Sequence, residues 1–428
     1  MNGRQVIQPE LTWTGTSFEP AKQIVIDPDG TIAAVEAVSA QATAWPGRAV
    51  LPGMVNAHSH AFQRGLRGRG EVFPTGAGSF WSWRDSMYEL VAAMDGAMLY
   101  ELSRRAFTEM LGAGITTVGE FHYLHHESSG GGYALDEVVL RAAADSGIRI
   151  VLLNAYYRAG GFDSPLQGAQ QRFRTASCDE YWAQMDRLGG LLDRSTQTLG
   201  VAAHSIRAVC LDDLAALHGE ARQRELVFHM HVEEQPAEIE ACVAAYGDRP
   251  MAVLNQRLDI DDRFCAVHCT HTAPEDMAGF LAAGGSVCIC PLTEANLGDG
   301  IPDGRKIGGG GAWGVSLGTD SNLRISFVEE MRLLEYAQRL GRESRGVFVD
   351  AAGRCATALW QAATVNGARA LGVNAGALQP GAAADLIVLD LAAPSLAGWT
   401  PETLLESFVF GSGAEAIAEV WVGGRKRS

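Results

Sequence analysis

Apolar runs of strand length alternate with stretches of helical length through the middle of this chain. Eight such runs end at or near His58, His122, Asn154, His204, His231, His268, Pro291 and Asp320. The helical stretches between them include Tyr100–Gly112, Asp136–Ser146, Tyr181–Leu192, Leu211–Arg224 and Pro274–Ala283. Eight β–α units in succession predict a closed parallel (β/α)8 barrel, the TIM-barrel class of α/β fold.

The two chain ends carry a different pattern, made of short β-like runs. Gln23–Asp27 and Thr31–Val35 flank the turn sequence Pro28-Asp29-Gly30, which predicts a hairpin. Near the other end, Asp385–Leu389 and Glu419–Gly424 are strand-like as well. We therefore predict one small β-sandwich domain built from both chain ends, residues 1–50 and 373–428, beside a barrel formed by residues 51–372.

The composition suits a folded protein and narrows its partners. Hydrophobic residues make up 47% and charged residues 20% of the 428 residues, so a large core is expected. The net charge of −16 argues against nucleic acid and anionic membranes, and an anionic substrate would need positive charge supplied by its own site. The lack of a membrane-spanning run or a leader predicts a soluble cytoplasmic protein. The eight scattered cysteines predict reduced thiols.

The most informative stretch is Asn56-Ala57-His58-Ser59-His60. It follows the apolar run Ala49–Val55, which predicts a short buried strand. Side chains of a strand repeat every second residue, so both imidazoles point to one side of the strand end. Two imidazoles placed in this way make half of a metal site.

Further candidate ligands and proton carriers follow other predicted strands. The fifth run contains His229 and His231 with Glu234 just beyond, the sixth ends at His268, and the eighth ends at Asp320. The carboxyl ends of barrel strands meet on one face, where such barrels carry their sites. His58, His60, one histidine of the fifth strand and Asp320 would suit Zn²⁺ or Fe²⁺ and leave room for water.

Each residue also has a simpler interpretation. His229 is expected nearer the strand interior as a packed histidine, and Asp320 could cap the next helix. Cysteines and histidines between residues 265 and 290 could form a structural zinc site, although their spacing differs from that of known zinc motifs; they are Cys265, His268, Cys269, His271, Cys288 and Cys290. Gly308–Gly311 lacks the residues of a phosphate-binding loop and is interpreted as a flexible loop.

Taken together, these features resemble the amidohydrolase superfamily. The resemblance is carried by Pro52–His60, by a fifth-strand histidine followed three residues later by Glu234, by His268 and Asp320, and by the β-like segment Gly376–Leu389. Binuclear members carry a bridging lysine after a middle strand, and no lysine lies near the second to fourth strands here. The resemblance therefore implies one divalent metal ion, most simply Zn²⁺ with Fe²⁺ as the alternative, held by His58, His60, His231 and Asp320.

Within the deaminase branch, longer blocks resemble the formimidoylglutamate deiminase family. They are Ala61–Arg64, Ser79–Arg84, Glu120–His126, His204–Arg207 and Thr293–Gly300. This resemblance implies a hydrolase of a linear amidine C–N bond, which converts N-formimino-L-glutamate to N-formyl-L-glutamate and ammonia in histidine degradation. It implies catalytic roles for Glu234, His268 and Asp320. A homodimer is expected because superfamily members are often dimers.

A dianionic substrate calls for cations with fork geometry, so Arg84 and Arg207 are predicted to bind its two carboxylates. Tyr123, His204 and Gln63 are predicted to add hydrogen bonds. The simpler interpretation of Arg84 is a surface arginine stacked beside Trp81 and Trp83. The segment Ala61–Leu90 is long for a strand-to-helix connection and is interpreted as a partial lid.

Two other functions remain open from the sequence. The first is a deaminase of a purine, pyrimidine or triazine, whose pocket would favour amides and aromatic stacking over two arginines. The second is a non-catalytic scaffold that assembles through the β-domain, which predicts lost ligands, whereas all four are present. His122, His125 and His126 are left unassigned, with surface or supporting roles expected rather than metal ligation.

Overall fold

The computed structural model describes residues 3–39, 42–71, 73, 78–127, 132–307 and 314–428. The segment Gly308–Gly311, predicted as a flexible loop, lies outside the described residues. Within the described ranges, no helix combines the length and apolar character needed to cross a membrane.

Sixteen strands are present in the described residues. They are β1 Gln5–Trp13, β2 Phe18–Glu19, β3 Lys22–Ile26, β4 Ile32–Ala37, β5 Thr43–Pro52, β6 Met54–Ser59, β7 Ile115–His122, β8 Arg149–Tyr156, β9 Gln197–Ser205, β10 Phe228–Val232, β11 Phe264–His268, β12 Ser286–Ile289, β13 Val315–Leu317, β14 Leu386–Asp390, β15 Ile417–Val422 and β16 Arg425–Lys426.

The α-helices of the described residues lie mostly between the barrel strands. They are α1 Phe80–Ala93, α2 Gly96–Gly112, α3 Ala134–Ser146, α4 Cys178–Gly189, α5 Leu211–Gln223, α6 Pro236–Tyr246, α7 Pro250–Arg257, α8 Pro274–Ala282, α9 Pro291–Leu297, α10 Gly304–Ile307, α11 Phe327–Arg342, α12 Cys355–Ala362, α13 Val365–Ala370 and α14 Leu404–Glu406. Short 3₁₀ turns span Ala61–Leu66, Gly168–Phe173, Pro394–Leu396 and Ala414–Ala416, and a π turn spans Ser407–Gly411.

Strands β6 to β13 form one parallel sheet that follows chain order. A parallel bridge between Ser59 and Asp320 joins its first and last members, so the sheet closes into the predicted barrel. Every residue of β7, β10 and β11 is buried, as expected for strands covered by helices outside and by side chains inside.

The second sheet combines strands from both chain ends in the order β16-β15-β14-β5-β1-β3-β4, with β2 paired to β1. The predicted hairpin is confirmed, since β3 and β4 pair antiparallel with Val25 opposite Ala34. A buried ion pair ties this sheet to the barrel: Arg149 Nε lies 2.8 Å from the Asp385 carboxylate, which is 1% exposed. The division into residues 1–50 with 373–428 and residues 51–372 stays a prediction.

Two local predictions need correction. The run Ala49–Val55 is not one strand, because β5 ends at Pro52 in the second sheet and β6 begins at Met54 in the barrel. Gly53 joins them where a Cβ atom would lie 2.1 Å from the Thr116 hydroxyl, so only glycine fits this crossing. The helix predicted over Tyr181–Leu192 spans Cys178–Gly189. Its N-cap is Ser177, whose side chain accepts a hydrogen bond from the Glu180 N–H.

Candidate active site

The predicted site residues converge at the carboxyl ends of the barrel strands. Ten of the eleven predicted residues line one cavity there; the exception is His58, which is fully buried. The ten are His60, Gln63, Arg84, Tyr123, His204, Arg207, His231, Glu234, His268 and Asp320. The remaining lining is largely apolar and aromatic, with Phe80, Trp83, Met87, Tyr88, Tyr157, Phe173 and Leu297. A polar group of this kind inside an apolar wall is typical of an enzyme site.

Three imidazoles and one carboxylate come together at the floor of this cavity. His231 Nε2 lies 3.2 Å from His58 Nε2 and 3.3 Å from His60 Nε2. Asp320 Oδ1 lies 3.5 Å from His58 Nε2 and 3.4 Å from His60 Nε2. Ligands at about 2.0–2.1 Å around a tetrahedral ion are themselves roughly 3.3–3.4 Å apart. These four separations therefore match the distances between ligands of a tetrahedral metal ion.

The opposite ring nitrogens show why a cation suits this group. His60 Nδ1 donates to the Phe121 carbonyl at 2.7 Å, and His231 Nδ1 donates to the His204 carbonyl at 2.8 Å. With the Nδ1 atoms committed as donors, the Nε2 atoms of the neutral rings present lone pairs to each other. Lone pairs that face one another beside a carboxylate are repulsive unless a positive ion lies between them. Carbonyl partners of this kind also orient metal-binding histidines in known sites.

The protonation of the group agrees with metal binding. Burial lowers the pKa of His58 to about 3 and the pKa of His60 below its ordinary value. Burial and then the neighbouring imidazoles lower the pKa of His231 well below its ordinary value. Neutral imidazoles are the form that binds a metal ion.

Asp320 supplies the only negative charge among these four residues. Burial alone would raise its pKa, but the hydrogen bond and charge of His58, followed by the charges of His60 and His268, hold the pKa below its ordinary value. Its backbone is equally engaged, since its carbonyl accepts the His60 N–H at 2.8 Å and its N–H donates to the His58 carbonyl at 3.0 Å. Asp320 is therefore an ionised acceptor fixed at the seam of the barrel.

Glu234 and His268 lie beside this group. His268 Nε2 is 3.8 Å from Glu234 Oε1 and 4.0 Å from Asp320 Oδ2. Burial raises the pKa of Glu234. Burial alone would lower the pKa of His268, but the surrounding carboxylates of Glu234, Glu294 and Asp320 raise it well above its ordinary value. Both shifts favour the protonated forms of these two residues, which line the cavity.

Both predicted arginines line the cavity. Arg84 Cζ lies 4.3 Å from the Trp81 ring centroid, so the stacking considered for it is present, while its buried Nε has no hydrogen-bond partner. Arg207 Nε lies 4.0 Å from Glu238 Oε1, beyond hydrogen-bond distance. Burial alone would lower the pKa of Arg207, yet the nearby Glu238 raises it, so its positive charge is retained. Both guanidinium groups have donors left for a ligand.

Gln63, Tyr123 and His204 also line the cavity. Gln63 Nε2 donates to the Tyr123 hydroxyl at 2.8 Å, and the Tyr123 ring centroid lies 5.4 Å from that of His204. Burial raises the pKa of Tyr123 well above its ordinary value, which keeps the hydroxyl neutral. Burial and then Arg207 lower the pKa of His204, which keeps that ring neutral as well.

The structure separates the alternatives for several histidines and cysteines. His229 is fully buried and its Nε2 donates to the Ala370 carbonyl at 2.8 Å, away from the other imidazoles, as the packing interpretation expected. Of the six residues of the structural zinc interpretation, only His268 and Cys290 occur together in a group of described residues that could hold an ion, and its third member is Asp320. The six residues therefore do not form a separate structural zinc site.

His122 and His125 form a second buried group with Asp136, so a surface position for them is wrong. The Asp136 carboxylate accepts from His122 at 3.1 Å and from His125 at 2.9 Å, and from Asn154 and Gln184 at 2.8 Å each. His125 Nε2 donates to the Ala155 carbonyl at 2.7 Å. Four donors satisfy this carboxylate without an ion, so the group supports the fold next to the site.

Sequence reasoning missed two parts of the site. The first is the aromatic wall, because Tyr88, Tyr157 and Phe173 come from segments whose patterns do not differ from those of core residues. The second is Glu294, whose Oε1 lies 3.2 Å from His268 Nδ1. Glu294 lies within the block Thr293–Gly300, which is one of the blocks that carry the family resemblance. No role is predicted from the sequence for any residue of that block.

Comparisons with known proteins agree with this geometry. The model of the amidohydrolase family matches residues 49–427. The chain is 38% identical to the formimidoylglutamate deiminase of Pseudomonas aeruginosa, over 94% of this chain and 89% of that protein. An amidohydrolase from Brucella melitensis superposes with a TM-score of 0.89 at 32% identity, over 99% of this chain and 94% of that chain.

A more distant structure shows the same fold. The zinc-bound adenosine deaminase from Xanthomonas campestris superposes with a TM-score of 0.79 at 23% identity, over 99% of this chain and 92% of that chain. The family match covers the barrel, the end of β5 and the strands β14 to β16 of the second sheet, and the Pseudomonas aeruginosa relative is covered over 89% of its length. The chain therefore belongs to the amidohydrolase family of metal-dependent hydrolases.

Proposed function

We propose that this protein hydrolyses N-formimino-L-glutamate to N-formyl-L-glutamate and ammonia, a step of histidine degradation. The observation that carries the proposal is the convergence of two arginines, Arg84 and Arg207, on the cavity that holds the three-histidine, one-aspartate group. The similarity to the Pseudomonas aeruginosa formimidoylglutamate deiminase supports the same substrate.

The substrate carries its formimino group on the α-nitrogen, with one carboxylate on the adjacent carbon and the second carboxylate at the end of the side chain. A guanidinium group can bind a carboxylate through two parallel hydrogen bonds, and such contacts are stronger in a dry aromatic pocket than in water. Arg84 Cζ lies 5.7 Å from the Tyr88 ring centroid, and His60, His231 and Asp320 line the same cavity. We place the carboxylates at the arginines and the formimino carbon at the floor.

His58, His60, His231 and Asp320 are the residues that would hold the metal ion. A divalent ion bound there would supply a water nucleophile at neutral pH, because it lowers the pKa of water from 15.7 to about 7. The set of three imidazoles and one carboxylate suits Zn²⁺ best, with Fe²⁺ as the alternative. The absence of any lysine near β7, β8 or β9 favours a single ion.

The remaining polar residues would handle protons and orientation. Asp320, held ionised, accepts a proton from the attacking water, and His268 steers that water from its position beside Asp320. Glu234, whose pKa is raised by burial, donates a proton to the imine nitrogen and later assists the departure of ammonia. Tyr123, Gln63 and His204 orient the substrate through hydrogen bonds. The homodimer, the cytoplasmic location and closure of the segment Ala61–Leu90 over the site stay predictions.

The direct test is ammonia release by metal-loaded protein from formiminoglutamate, with formiminoaspartate and guanine as comparison substrates. We expect formiminoglutamate to be preferred, because formiminoaspartate is one methylene shorter between its two carboxylates and guanine has no carboxylate for Arg84 and Arg207 to bind. Preference for guanine would instead support a heterocycle deaminase.

His231→Ala should lose the metal ion, because it removes one of four converging donors. His229→Ala is the matched control on the same strand: it removes an imidazole that donates to the Ala370 carbonyl, so metal content should be unchanged. Metal analysis of both purified variants checks this expectation. Retained metal in His231→Ala together with loss in His229→Ala would reassign the ligand.

Glu234→Gln should keep the metal ion and lose activity by about 10²–10⁴-fold, the usual contribution of general acid–base catalysis. Glu233→Gln is a neighbouring control, since this buried carboxylate accepts the Met251 N–H at 3.2 Å and does not line the cavity. Its activity per folded molecule should stay near that of the wild type. Full activity of Glu234→Gln would remove Glu234 from the mechanism.

Arg84→Met and Arg207→Met should each lower kcat/KM for formiminoglutamate by roughly 10- to 150-fold, the equivalent of about 1.5–3 kcal/mol for a charged hydrogen bond. Turnover of formamidine, which has the same C=N group and no carboxylate, should change little. Arg158→Met is the control, because Arg158 pairs with Asp213 at 2.5 Å in the adjoining cleft. Equal losses on both substrates would contradict carboxylate binding by these arginines.

A further inference from the structure

We infer that Glu294 is a positioning residue for the reaction proposed above, and that it holds the His268 ring so that Nε2 faces Glu234 and Asp320. The inference rests on the proposed hydrolysis but concerns a residue outside the metal ligands, the proton carriers and the substrate contacts. It explains how one imidazole is kept in a single orientation among several carboxylates.

The contact between the two side chains is direct and buried. Glu294 Oε1 lies 3.2 Å from His268 Nδ1, and the two residues are 2% and 1% exposed. Because Nδ1 donates to Glu294, Nε2 at the far side of the ring is directed at Glu234 Oε1, 3.8 Å away, and Asp320 Oδ2, 4.0 Å away. The hydrogen bond therefore decides which ring atom faces the reacting groups.

Such an anchor is needed because the torsion between Cβ and an imidazole ring is soft and has two broad wells. The His268 backbone does not compensate for this freedom: it adopts a left-handed conformation with φ of +72° directly at the end of β11. A ring turned by half a rotation would direct carbon atoms, rather than Nε2, at Glu234 and Asp320. Glu294 selects the productive well.

Glu294 is itself fixed by the turn that leads from β12 into α9. The same Oε1 accepts the Cys290 N–H at 3.0 Å, and the Glu294 N–H donates to the Cys290 carbonyl at 2.9 Å. The carboxylate therefore has little freedom to follow His268 if that ring moves. It links the end of β12 to the end of β11 across neighbouring barrel strands.

The chain offers a matched control for the turn itself. Glu330 is also fully buried, and its Oε2 accepts the Leu292 N–H of the same turn at 2.8 Å. Neither a hydrogen bond nor an ion pair joins Glu330 to His268 in the part of the chain that the structure describes. Substitution of Glu330 therefore removes a hydrogen bond that supports the turn and leaves the contact between Glu294 and His268 in place.

The experiment compares Glu294→Gln, which keeps an acceptor oxygen, with Glu294→Met, which removes it at similar volume. Kinetics are measured with any substrate that the wild type turns over, so that failure of the formiminoglutamate assignment does not affect this result. We expect kcat of Glu294→Met to fall by about 10- to 100-fold, as for other residues that orient active-site histidines, with KM changed less than about 3-fold. Glu294→Gln should recover most of kcat, and Glu330→Gln should stay near the wild type.

A double-mutant cycle decides whether Glu294 acts through His268. In the His268→Ala background, the further change Glu294→Met should lower kcat by less than about 2-fold, because the ring that it positions is gone. Metal content and thermal midpoint are followed in every variant. If Glu294→Met does not fold, Glu294→Asp, whose shorter side chain withdraws the carboxylate from Nδ1, replaces it in the same cycle. An undiminished loss in the His268→Ala background, or equal activity of Glu294→Gln and Glu294→Met, overturns the inference.

Discussion

The site depends on the seam where the barrel closes. The His58 carbonyl accepts the N–H groups of Thr319 and Asp320 at 3.0 Å each, and the His60 N–H donates to the Asp320 carbonyl at 2.8 Å. These hydrogen bonds join the first and eighth strands and bring two imidazoles and one carboxylate together. Gly318 permits the approach, since a Cβ atom there would lie 2.8 Å from the His58 Cβ. The hydrogen bonds that close the barrel therefore also place the candidate metal ligands His58, His60 and Asp320.

Burial then decides the charge state of each group at that seam. The same desolvation that keeps His58 and His60 neutral also raises the pKa of Glu234, because burial disfavours whichever form of a group is charged. Burial would raise the pKa of Asp320, but the hydrogen bond from His58 and the other groups around it hold this pKa below its ordinary value. In a chain of net charge −16, Arg84 and Arg207 supply local positive charge at the same cavity. The cavity thus combines neutral metal donors, a stored proton and an anion-binding side in one small volume.

The sequence predicts the parts of this arrangement that follow from strand periodicity. His58 and His60 project together because they are two residues apart, and His268 and Asp320 are found because they end apolar runs. The two-residue repeat of side chains along a strand does not distinguish His229 from His231, since both point to the same side of β10. The choice depends on depth in the barrel and on a register shift between Met230 and His231 in the pairing of β10 with β9. The contacts of Glu294 and the aromatic lining of the cavity cannot be predicted from strand periodicity either, because they depend on how separate β–α units pack.

Backbone conformation at the strand ends shows that the positions of these groups carry an energetic cost. Ten non-glycine residues among those described have positive φ, and half of them lie at the ends of β10, β11 and β13: Glu233, His268, Cys269, Asp320 and Asn322. Each such conformation costs on the order of 1–3 kcal/mol and persists only where surrounding contacts determine it. Here the contacts are available: the Cys269 N–H donates to the Val232 carbonyl at 3.0 Å, and the Asn322 side chain donates to the Asp320 carbonyl at 2.9 Å. The strained residues lie where the side chains of His268 and Asp320 face the cavity. This is expected if the fold maintains the orientation of these side chains at the expense of loop stability.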